Sequence, residues 1–310
     1  MIILRELGSK MEYKECAASS AVTLGKFDGL HRGHQKLFDR LFEVCRKKDL
    51  QSVMFTFPNS PRQLLSGKGD SAILTNEERE EKMRERGLDI MVECPFTEAL
   101  RNMSPEAFFE KVLVEWLHAS HLVVGKDFHF GKNRAGDVAF LKRISPVFGV
   151  EVDVIDKLKE GDADVSSTRI RRALDRGDME LAERLLGYPY YLSGEIIHGA
   201  ELGRTIGFPT INQACREYKF LPPYGVYFSK TYINDRTYES ITNLGCKPTV
   251  NGNGVGAETH LFDASGDFYG KEARVELLHF HRPEQKFSSL DALKIQLEQD
   301  IFAARSRIYG

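Results

Sequence analysis

Short apolar runs alternate with helix-like stretches along roughly the first 186 residues of the chain. An apolar run bounded by turn residues predicts a buried strand, and apolar positions three to four residues apart predict an amphipathic helix. Alternating strands and helices are typical of βαβ units around a parallel sheet. The predicted strands lie in AVTLG, SVMFTF, DIMVECPF, HLVVG and VEVDVI, and the predicted helices include QKLFDRLFEVCRKK, TNEEREEKMRERG and SPEAFFEKVLVEWLHA.

Several helix ends carry recognisable boundary residues. Thr75 with Glu78 three positions later forms a candidate capping box. Ser104 followed by Pro105 predicts an N-cap with proline at the first helical position, and Gly87 suits a helix C-terminus.

The pattern changes after LLGYPY, where short strand-like segments are separated by Gly, Asn, Asp and Pro turns. Closely spaced short strands predict a small antiparallel barrel or sandwich. A final helix follows, with a predicted cap at Ser288 and Asp291 and with Leu290, Leu293, Leu297 and Ile301 on one side. The domain boundary is therefore expected near residues 184–190, giving domains 1–186 and 187–310.

Composition narrows the class of protein. The 310 residues are 42% hydrophobic, and 43 Lys and Arg nearly balance 45 Asp and Glu. This balance favours an enzyme for small molecules over a protein that binds nucleic acid. Five scattered cysteines without a C-x-x-C pair, and no signal peptide or membrane-length apolar run, predict a soluble cytoplasmic protein with reduced thiols.

Two histidines, His31 and His34, stand in the stretch GKFDGLHRGHQ, directly after a predicted strand and at the start of a predicted helix. Free N–H groups and the helix dipole favour an anion there, and imidazoles can donate hydrogen bonds to a phosphoryl group in transfer. The spacing also fits an incomplete metal site that needs further ligands, or two solvated side chains on a helix.

The segment DVSSTRIRRAL places Ser167 and Thr168 before a helix that carries Arg169 and further arginines. Hydroxyls and free N–H groups at a helix start, with arginines nearby, suit a triphosphate. An ordinary N-cap with a solvated basic face is the alternative.

In the second half, GRTIGFPTIN contains Thr210 and Asn212, two positions apart in a predicted strand, and both offer the hard oxygen ligands that magnesium prefers. The stretch does not match a Walker A loop, and a plain Gly/Pro turn is the alternative. In GAETHLFD, Glu258 could accept a proton from an attacking hydroxyl, although single strand carboxylates are usually solvated. His281 and Arg282 are expected at the surface.

Six motifs in register resemble the prokaryotic bifunctional riboflavin kinase / FAD synthetase family over nearly the whole chain. They are LGKFDGLHRGH, VVGKDFHFGKNRAGD, VSSTRIR, GFPTIN, AETHLFD and RPEQKFSSLDALKIQLEQDI. The resemblance implies an N-terminal α/β nucleotidyltransferase domain of Rossmann-like type and a C-terminal six-stranded antiparallel kinase barrel followed by a helix. It also implies ATP, riboflavin and FMN as substrates and Mg²⁺ as cofactor, without nucleic acid or membrane partners, in a monomer or weak homo-oligomer.

The resemblance also implies roles for particular residues. Catalysis falls to His31 and His34 in the adenylyltransferase half and to Glu258 as general base in the kinase half. The adenylyltransferase ATP site comprises Gly25, Phe27, Asp28, Gly29, His31, Gly33, His34, Ser167, Thr168 and Arg169, and its FMN site comprises Phe57, Pro61, Asp127 and Phe128. In the kinase half, ATP contacts Gly203, Gly207, Thr210 and Asn212, magnesium is held by Thr210 and Asn212, and riboflavin contacts Glu258 and Arg282.

Three residues depart from the family pattern around the expected FMN site. Lys26 stands where Asn is frequent, His129 where Arg is usual, and Ser60 at a usual histidine position. Two other functions compete with the bifunctional one. They are a nucleotidyltransferase for another phosphorylated substrate with an accessory barrel, and a non-catalytic flavin-binding regulator.

Overall fold

The computed structural model describes residues 1–7, 19–58, 71–199, 203, 206–216, 218–249 and 252–309. Contacts divide the chain into two compact units, Met1–Ser167 and Thr168–Gly310. This division counts residues 168–186 with the second unit, whereas the sequence places them in the first domain. The domain boundary near residues 184–190 stays a prediction.

The first unit is built on a parallel sheet, as the alternating pattern predicted. Its strands are β1 (Ile2–Leu4), β2 (Ser20–Leu24), β3 (Gln51–Thr56), β4 (Ile90–Glu93), β5 (Ala119–Gly125) and β6 (Glu151–Ile155). Their order is β1-β4-β3-β2-β5-β6, with every neighbouring pair parallel. The sequence pattern did not reveal β1, because three residues are too few to show a period.

Helices connect the strands of this sheet. They are α1 (Arg32–Lys48), α2 (Asn76–Glu85), α3 (Glu98–Asn102), α4 (Pro105–Ala107), which continues as a π-helix (Phe108–Trp116), and α5 (Val138–Ile144). The sequence predicted three of them, α1, α2 and α4 with its continuation, but not α3 or α5. Thr75 and Glu78 form the capping box of α2, and Ser104 caps α4. A two-stranded hairpin of β7 (Lys159–Glu160) and β8 (Ala163–Asp164) follows the sheet.

The order of strands determines where a ligand can bind in the first unit. The chain proceeds from β2 through β3 to β4 on one side, and then continues on the other side with β5 and β6. In open α/β sheets, ligands bind outside the carboxyl ends of the strands at such a reversal. The histidine loop follows β2 and the segment with Phe128 follows β5, so both lie at that position.

The second unit contains a closed antiparallel barrel, which confirms the barrel implied by the resemblance. Helices α6 (Ser167–Asp175, whose first residue belongs to the first unit) and α7 (Met179–Leu186) precede it. The strands are β9 (Tyr190–Ile197), β10 (Ile211–Ala214), β11 (Gly225–Ile233), β12 (Arg236–Thr249), β13 (Gly252–Leu261) and β14 (Glu272–Pro283), arranged in the order β10-β13-β12-β11-β14-β9.

The inside of the barrel is partly polar and the outside carries the final helix, α8 (Leu290–Tyr309). Buried hydroxyls of Ser229, Ser240 and Thr242 are linked by hydrogen bonds of 2.8 Å. Outside, Ala304 of α8 packs with Phe228, Ile241 and Phe262.

The predicted cap of this helix was wrong by one residue. Ser289, not Ser288, accepts the hydrogen bond from the Ala292 N–H, at 3.1 Å. Leu290 is 58% exposed, so it does not join the packed side of the helix.

Two further features concern the chain as far as it is described. Cys45, Cys94 and Cys215 are not joined in disulfides. Within the described ranges, every helix is too short or too polar to cross a lipid bilayer.

Candidate active sites

The histidine loop of the first unit has an unusual backbone. Phe27 and Leu30 have positive φ angles of 48° and 38°, and Gly29 between them has φ of 83°. Non-glycine residues rarely adopt this region, and such strain is often found at ligand-binding positions. The loop ends at His31, which is the N-cap of α1.

The two histidines are held against each other. Their rings stack with centroids 3.6 Å apart and an interplanar angle of 15°. The His34 N–H donates to Nδ1 of His31 at 3.3 Å, so the proton of a neutral His31 resides on Nε2. Nδ1 of His34 is buried and has no hydrogen-bond partner among the described residues.

Both rings are uncharged near neutral pH. Burial lowers the pKa of His31 from 6.5 to about 4, although the nearby Asp28 carboxylate raises it. Burial and the proximity of His31 lower the pKa of His34 well below its ordinary value. In this state, His31 offers a neutral N–H donor to a ligand.

Gly33 gives space to the His31 ring within the histidine loop, and Ser167 connects this loop to the second sequence motif. A Cβ atom at Gly33 would lie 3.2 Å from the His31 ring, so the glycine makes room for that imidazole. The Ser167 hydroxyl donates to the Asp28 carbonyl at 2.9 Å, which joins the start of α6 to the histidine loop. Thr168 and Arg169 follow in α6 and belong to the second unit.

Two residues that were assigned to the ATP site, Phe27 and Asp28, stabilise the histidine loop through their side chains. Phe27 is only 1% exposed, and its ring meets His34 edge-on with centroids 5.3 Å apart. The Asp28 carboxylate accepts the Ile73 N–H at 2.9 Å. Main-chain groups of Gly25 and Gly29 lie in the same loop.

Three of the four predicted FMN residues are described. Phe57 follows β3 and contacts Phe96 edge-on at 5.2 Å between ring centroids. Phe128 follows β5 and stacks on Phe130 with centroids 5.5 Å apart. Asp127 is exposed and pairs with Lys157 at 3.0 Å, while Pro61 lies outside the described residues.

Two of the three departures from the family pattern, Lys26 and His129, are described. The Lys26 carbonyl accepts the Thr56 hydroxyl at 3.3 Å. The exposed His129 ring nitrogen Nδ1 lies 2.9 Å from the Asp127 carbonyl oxygen. Ser60 lies outside the described residues.

Glu258 is the centre of the second candidate site, on the barrel. It accepts the Thr210 hydroxyl at 2.9 Å. In the ladders it stands opposite Asn212 of β10 on one side and Asn243 of β12 on the other. Directly opposed residues share a face of the sheet, and the adjacent Thr259 is buried inside, so Glu258 and both asparagines lie on the outer face.

Gly203 lies close to Phe208 in the segment before Thr210. The Phe208 N–H donates to the Gly203 carbonyl at 2.8 Å, and a Cβ at Gly203 would lie 2.3 Å from the Phe208 carbonyl oxygen. Position 203 therefore requires glycine. Gly207 lies in the same turn, with φ of 88°.

The donor atoms near Glu258 fit a magnesium ion. Thr210 donates its proton to the carboxylate, which leaves lone pairs on Oγ1 for a cation, and Asn212 contributes an amide oxygen on the same face. Among the described residues, no group of three or more His, Cys, Asp or Glu side chains could hold a metal. A magnesium ion here would thus rely on few protein ligands and on ATP phosphates.

Arg282, assigned to riboflavin, is engaged within the protein. Its guanidinium forms hydrogen bonds of 2.7–3.1 Å with the fully buried Asp300 carboxylate of α8. Asn243 was not found from the sequence, because no local pattern reveals which residue stands opposite Glu258. Its amide donates to Glu284 at 3.4 Å.

The fold and these sites define a Rossmann-like α/β unit with a stacked histidine pair and a closed barrel with a carboxylate on its outer face. Two family profiles match the chain, that of FAD synthetase over residues 13–169 and that of riboflavin kinase over residues 186–308. The chain belongs to the family of bifunctional riboflavin kinases/FMN adenylyltransferases.

Individual relatives agree with this membership. The bifunctional riboflavin kinase/FMN adenylyltransferase of Pseudomonas fluorescens is 36% identical over 95% of this chain and 94% of its own. That of Escherichia coli K12 is 37% identical over 92% of this chain and 91% of its own. A solved structure titled as a macrolide-efflux protein from Streptococcus pneumoniae has a TM-score of 0.85 and 30% identity, covering 98% of this chain and 99% of its own.

Proposed function

We propose that this protein makes FAD from riboflavin in two ATP-dependent steps, phosphorylation to FMN and adenylylation to FAD. One observation carries the proposal: a single chain of this family combines a stacked, neutral histidine pair in a nucleotide loop with a separate site around Glu258. Neither site alone would produce FAD from riboflavin.

Phosphorylation takes place at Glu258. The terminal ribityl hydroxyl of riboflavin attacks the γ-phosphorus of ATP, its proton passes to the Glu258 carboxylate, and ADP leaves. The Thr210 hydroxyl, 2.9 Å from Oε1, orients that carboxylate. Magnesium held by Thr210 and Asn212 would neutralise charge on the ATP phosphates.

Adenylylation takes place at the histidine loop. A phosphate oxygen of FMN attacks the α-phosphorus of a second ATP, and pyrophosphate leaves. His31 donates a hydrogen bond from Nε2 to the phosphoryl oxygens, where negative charge builds up. We assign the same stabilising role to His34. From the sequence pattern we assign Ser167, Thr168 and Arg169 to binding of the triphosphate.

The flavin ring is proposed to lie against Phe57, Pro61 and Phe128, with Asp127 nearby. Phe57 and Phe128 follow β3 and β5, the strands on either side of β2, which leads into the histidine loop. Aromatic rings offer flat apolar surfaces to an isoalloxazine. We also propose that the protein acts in the cytoplasm as a monomer or weak homo-oligomer.

Incubation of the protein with riboflavin, ATP and Mg²⁺, followed by chromatography of the flavins, tests the proposal. We expect FMN to appear first and FAD to follow. If neither product forms, the protein is a flavin-binding regulator or acts on another phosphorylated substrate. If only FMN forms, the first unit has a different acceptor.

A further inference from the structure

Arg79 of α2 is a buried arginine near the histidine loop that no sequence motif indicated. Its residue exposure is 5%. Nη1 donates to the Lys26 carbonyl at 3.2 Å, and both terminal nitrogens lie 3.5 Å from the Phe57 carbonyl. Nη2 also donates to Glu93 at 2.6 Å and to the Asn76 side chain at 3.0 Å.

These carbonyls belong to the places where the chain leaves two adjacent strands. The ladder between β2 and β3 ends with Leu24 opposite Phe55, and the Gly25 N–H makes one more hydrogen bond to the Phe55 carbonyl. Beyond this point, Lys26 leads into the histidine loop and Phe57 leads towards the proposed flavin surface. The planar guanidinium bridges the two segments after the strand pairing has ended.

Glu93 fixes the orientation of this bridge. It is the last residue of β4 and is 3% exposed, so its carboxylate holds the guanidinium inside the protein. Arg79 thereby connects the carboxyl ends of β2, β3 and β4. A buried ion pair is often no more stabilising than apolar residues of similar volume, so stability alone is a weak reason for this arrangement.

We propose that Arg79 is a positioning residue for FMN adenylylation, an inference that rests on the proposed function of the first unit. Through the Lys26 carbonyl it holds the loop that ends in His31. Through the Phe57 carbonyl it holds the residue that we assign to the flavin ring. Its two main-chain contacts fix the distance between the nucleotide and the flavin. Arg79 itself does not touch the reacting atoms.

The test compares steady-state FAD formation from FMN and ATP by the wild-type protein and three variants. Arg79→Lys keeps the charge beside Glu93 but lacks the fork that reaches both carbonyls. The double variant Arg79→Met/Glu93→Gln removes both charges, so that no unpaired ion stays buried. Arg84→Lys is the matched control, because it makes the same change at an exposed position of the same helix.

For Arg79→Lys we expect the KM for FMN to rise about tenfold and kcat for FAD formation to fall about tenfold, since hydrogen bonds from a charged donor are lost. The double variant should be impaired further, although its thermal unfolding stays close to wild type. Arg79→Lys should thus keep part of the FAD formation that the double variant loses. The kinetics of FAD formation by Arg84→Lys should match those of the wild type. The riboflavin kinase activity of all variants should stay unchanged.

A purely structural role would give a different result. It would lower the unfolding temperature while leaving the KM for FMN and kcat per folded molecule at wild-type values. That outcome in the double variant, or in a folded Arg79→Lys protein, would overturn the inference. Absence of FAD formation by the wild-type protein would instead refute the proposed function.

Discussion

Single residues determine the charge of the proposed adenylylation site. Burial keeps His31 and His34 neutral at physiological pH, so the contribution to transfer that we propose for them is a hydrogen bond rather than a positive charge. A neutral donor binds ATP without requiring a proton from solution. FAD formation should therefore not depend on protonation of these rings between pH 6 and 8.

The depressed pKa of His31 should be visible in the pH dependence of stability. Below pH 6.5 the unfolded chain binds a proton at this ring, whereas the folded protein binds it only near pH 4. The free energy of unfolding should thus fall by about 2 kcal/mol from pH 7 to pH 5 through His31 alone. Urea unfolding followed by fluorescence of the single tryptophan, Trp116 of the first unit, measures this change.

The control for this prediction is His31→Gln, which lacks the titrating ring. Its stability should fall less between pH 7 and pH 5 than that of the wild type. His34 adds a loss of the same sign in both proteins, since its pKa is also depressed. An equal loss in both proteins would mean that His31 has an ordinary pKa.

Gly33→Ala should separate stability from activity. Alanine favours a helix by about 1 kcal/mol over glycine, so the first unit should stay folded. The new Cβ would lie 3.2 Å from the His31 ring and displace it, so FAD formation should fall at least tenfold while FMN formation is retained. Flavin chromatography measures both rates, and full FAD formation by the variant would show that the ring has room to move.

Secondary-structure elements were the most predictable level of the structure. Five strands of the parallel sheet and the cap of α2 follow from periodicity and capping residues that act within a few positions. Closure of the barrel depends on pairing between β9 and β10, which no local pattern specifies. The resemblance to the family supplied that part of the fold.

The start of α8 shows how local ambiguity limits such prediction. Ser288 and Ser289 both precede the helix, and Asp291 three residues after Ser288 made the first serine the better candidate. The structure selects Ser289. Ser289→Ala should therefore cost about 1 kcal/mol in the first turn of α8, and Ser288→Ala almost nothing.

Amide hydrogen exchange tests this difference directly. Exchange in the first turn of α8 should become about fivefold faster in Ser289→Ala and stay near wild type in Ser288→Ala. Faster exchange in Ser288→Ala than in Ser289→Ala would instead support Ser288 as the cap, as the sequence predicts.

The sites were predictable as far as their residues lie in short motifs. His31, His34 and Thr210 were found because each stands beside glycines in a recognisable loop. Arg79 and Asn243 were not found, because their partners lie far away in the sequence and meet them only after the sheets have formed. Burial of Phe27 likewise depends on packing against Phe38 of α1.

At the scale of the whole molecule, residues 168–186 decide where the barrel unit begins. Glu180 of α7 pairs with His279 of β14 at 2.7 Å and with Arg307 of α8 at 3.1 Å. Gly177 lies beside the Phe280 ring. We expect a fragment of residues 168–310 to melt about 5 °C higher than a fragment of residues 187–310. Calorimetry of the two fragments measures this difference, and equal melting temperatures would place the boundary where the sequence predicts it.

The two steps should be separable by substitution, because we propose different catalytic residues for each step. Glu258→Gln removes the general base but keeps an oxygen that can accept the Thr210 hydroxyl, so the barrel should stay folded. His31→Ala removes the proposed donor to the phosphoryl group. Losses of about 100-fold or more are expected for the step that each residue serves.

The most direct test measures both steps in both variants, with riboflavin or FMN as the starting flavin in the presence of ATP and Mg²⁺. We expect Glu258→Gln to lose FMN formation and still convert FMN to FAD, and His31→Ala to form FMN and stop there. Loss of both steps in either folded variant would contradict the assignment of two separate sites.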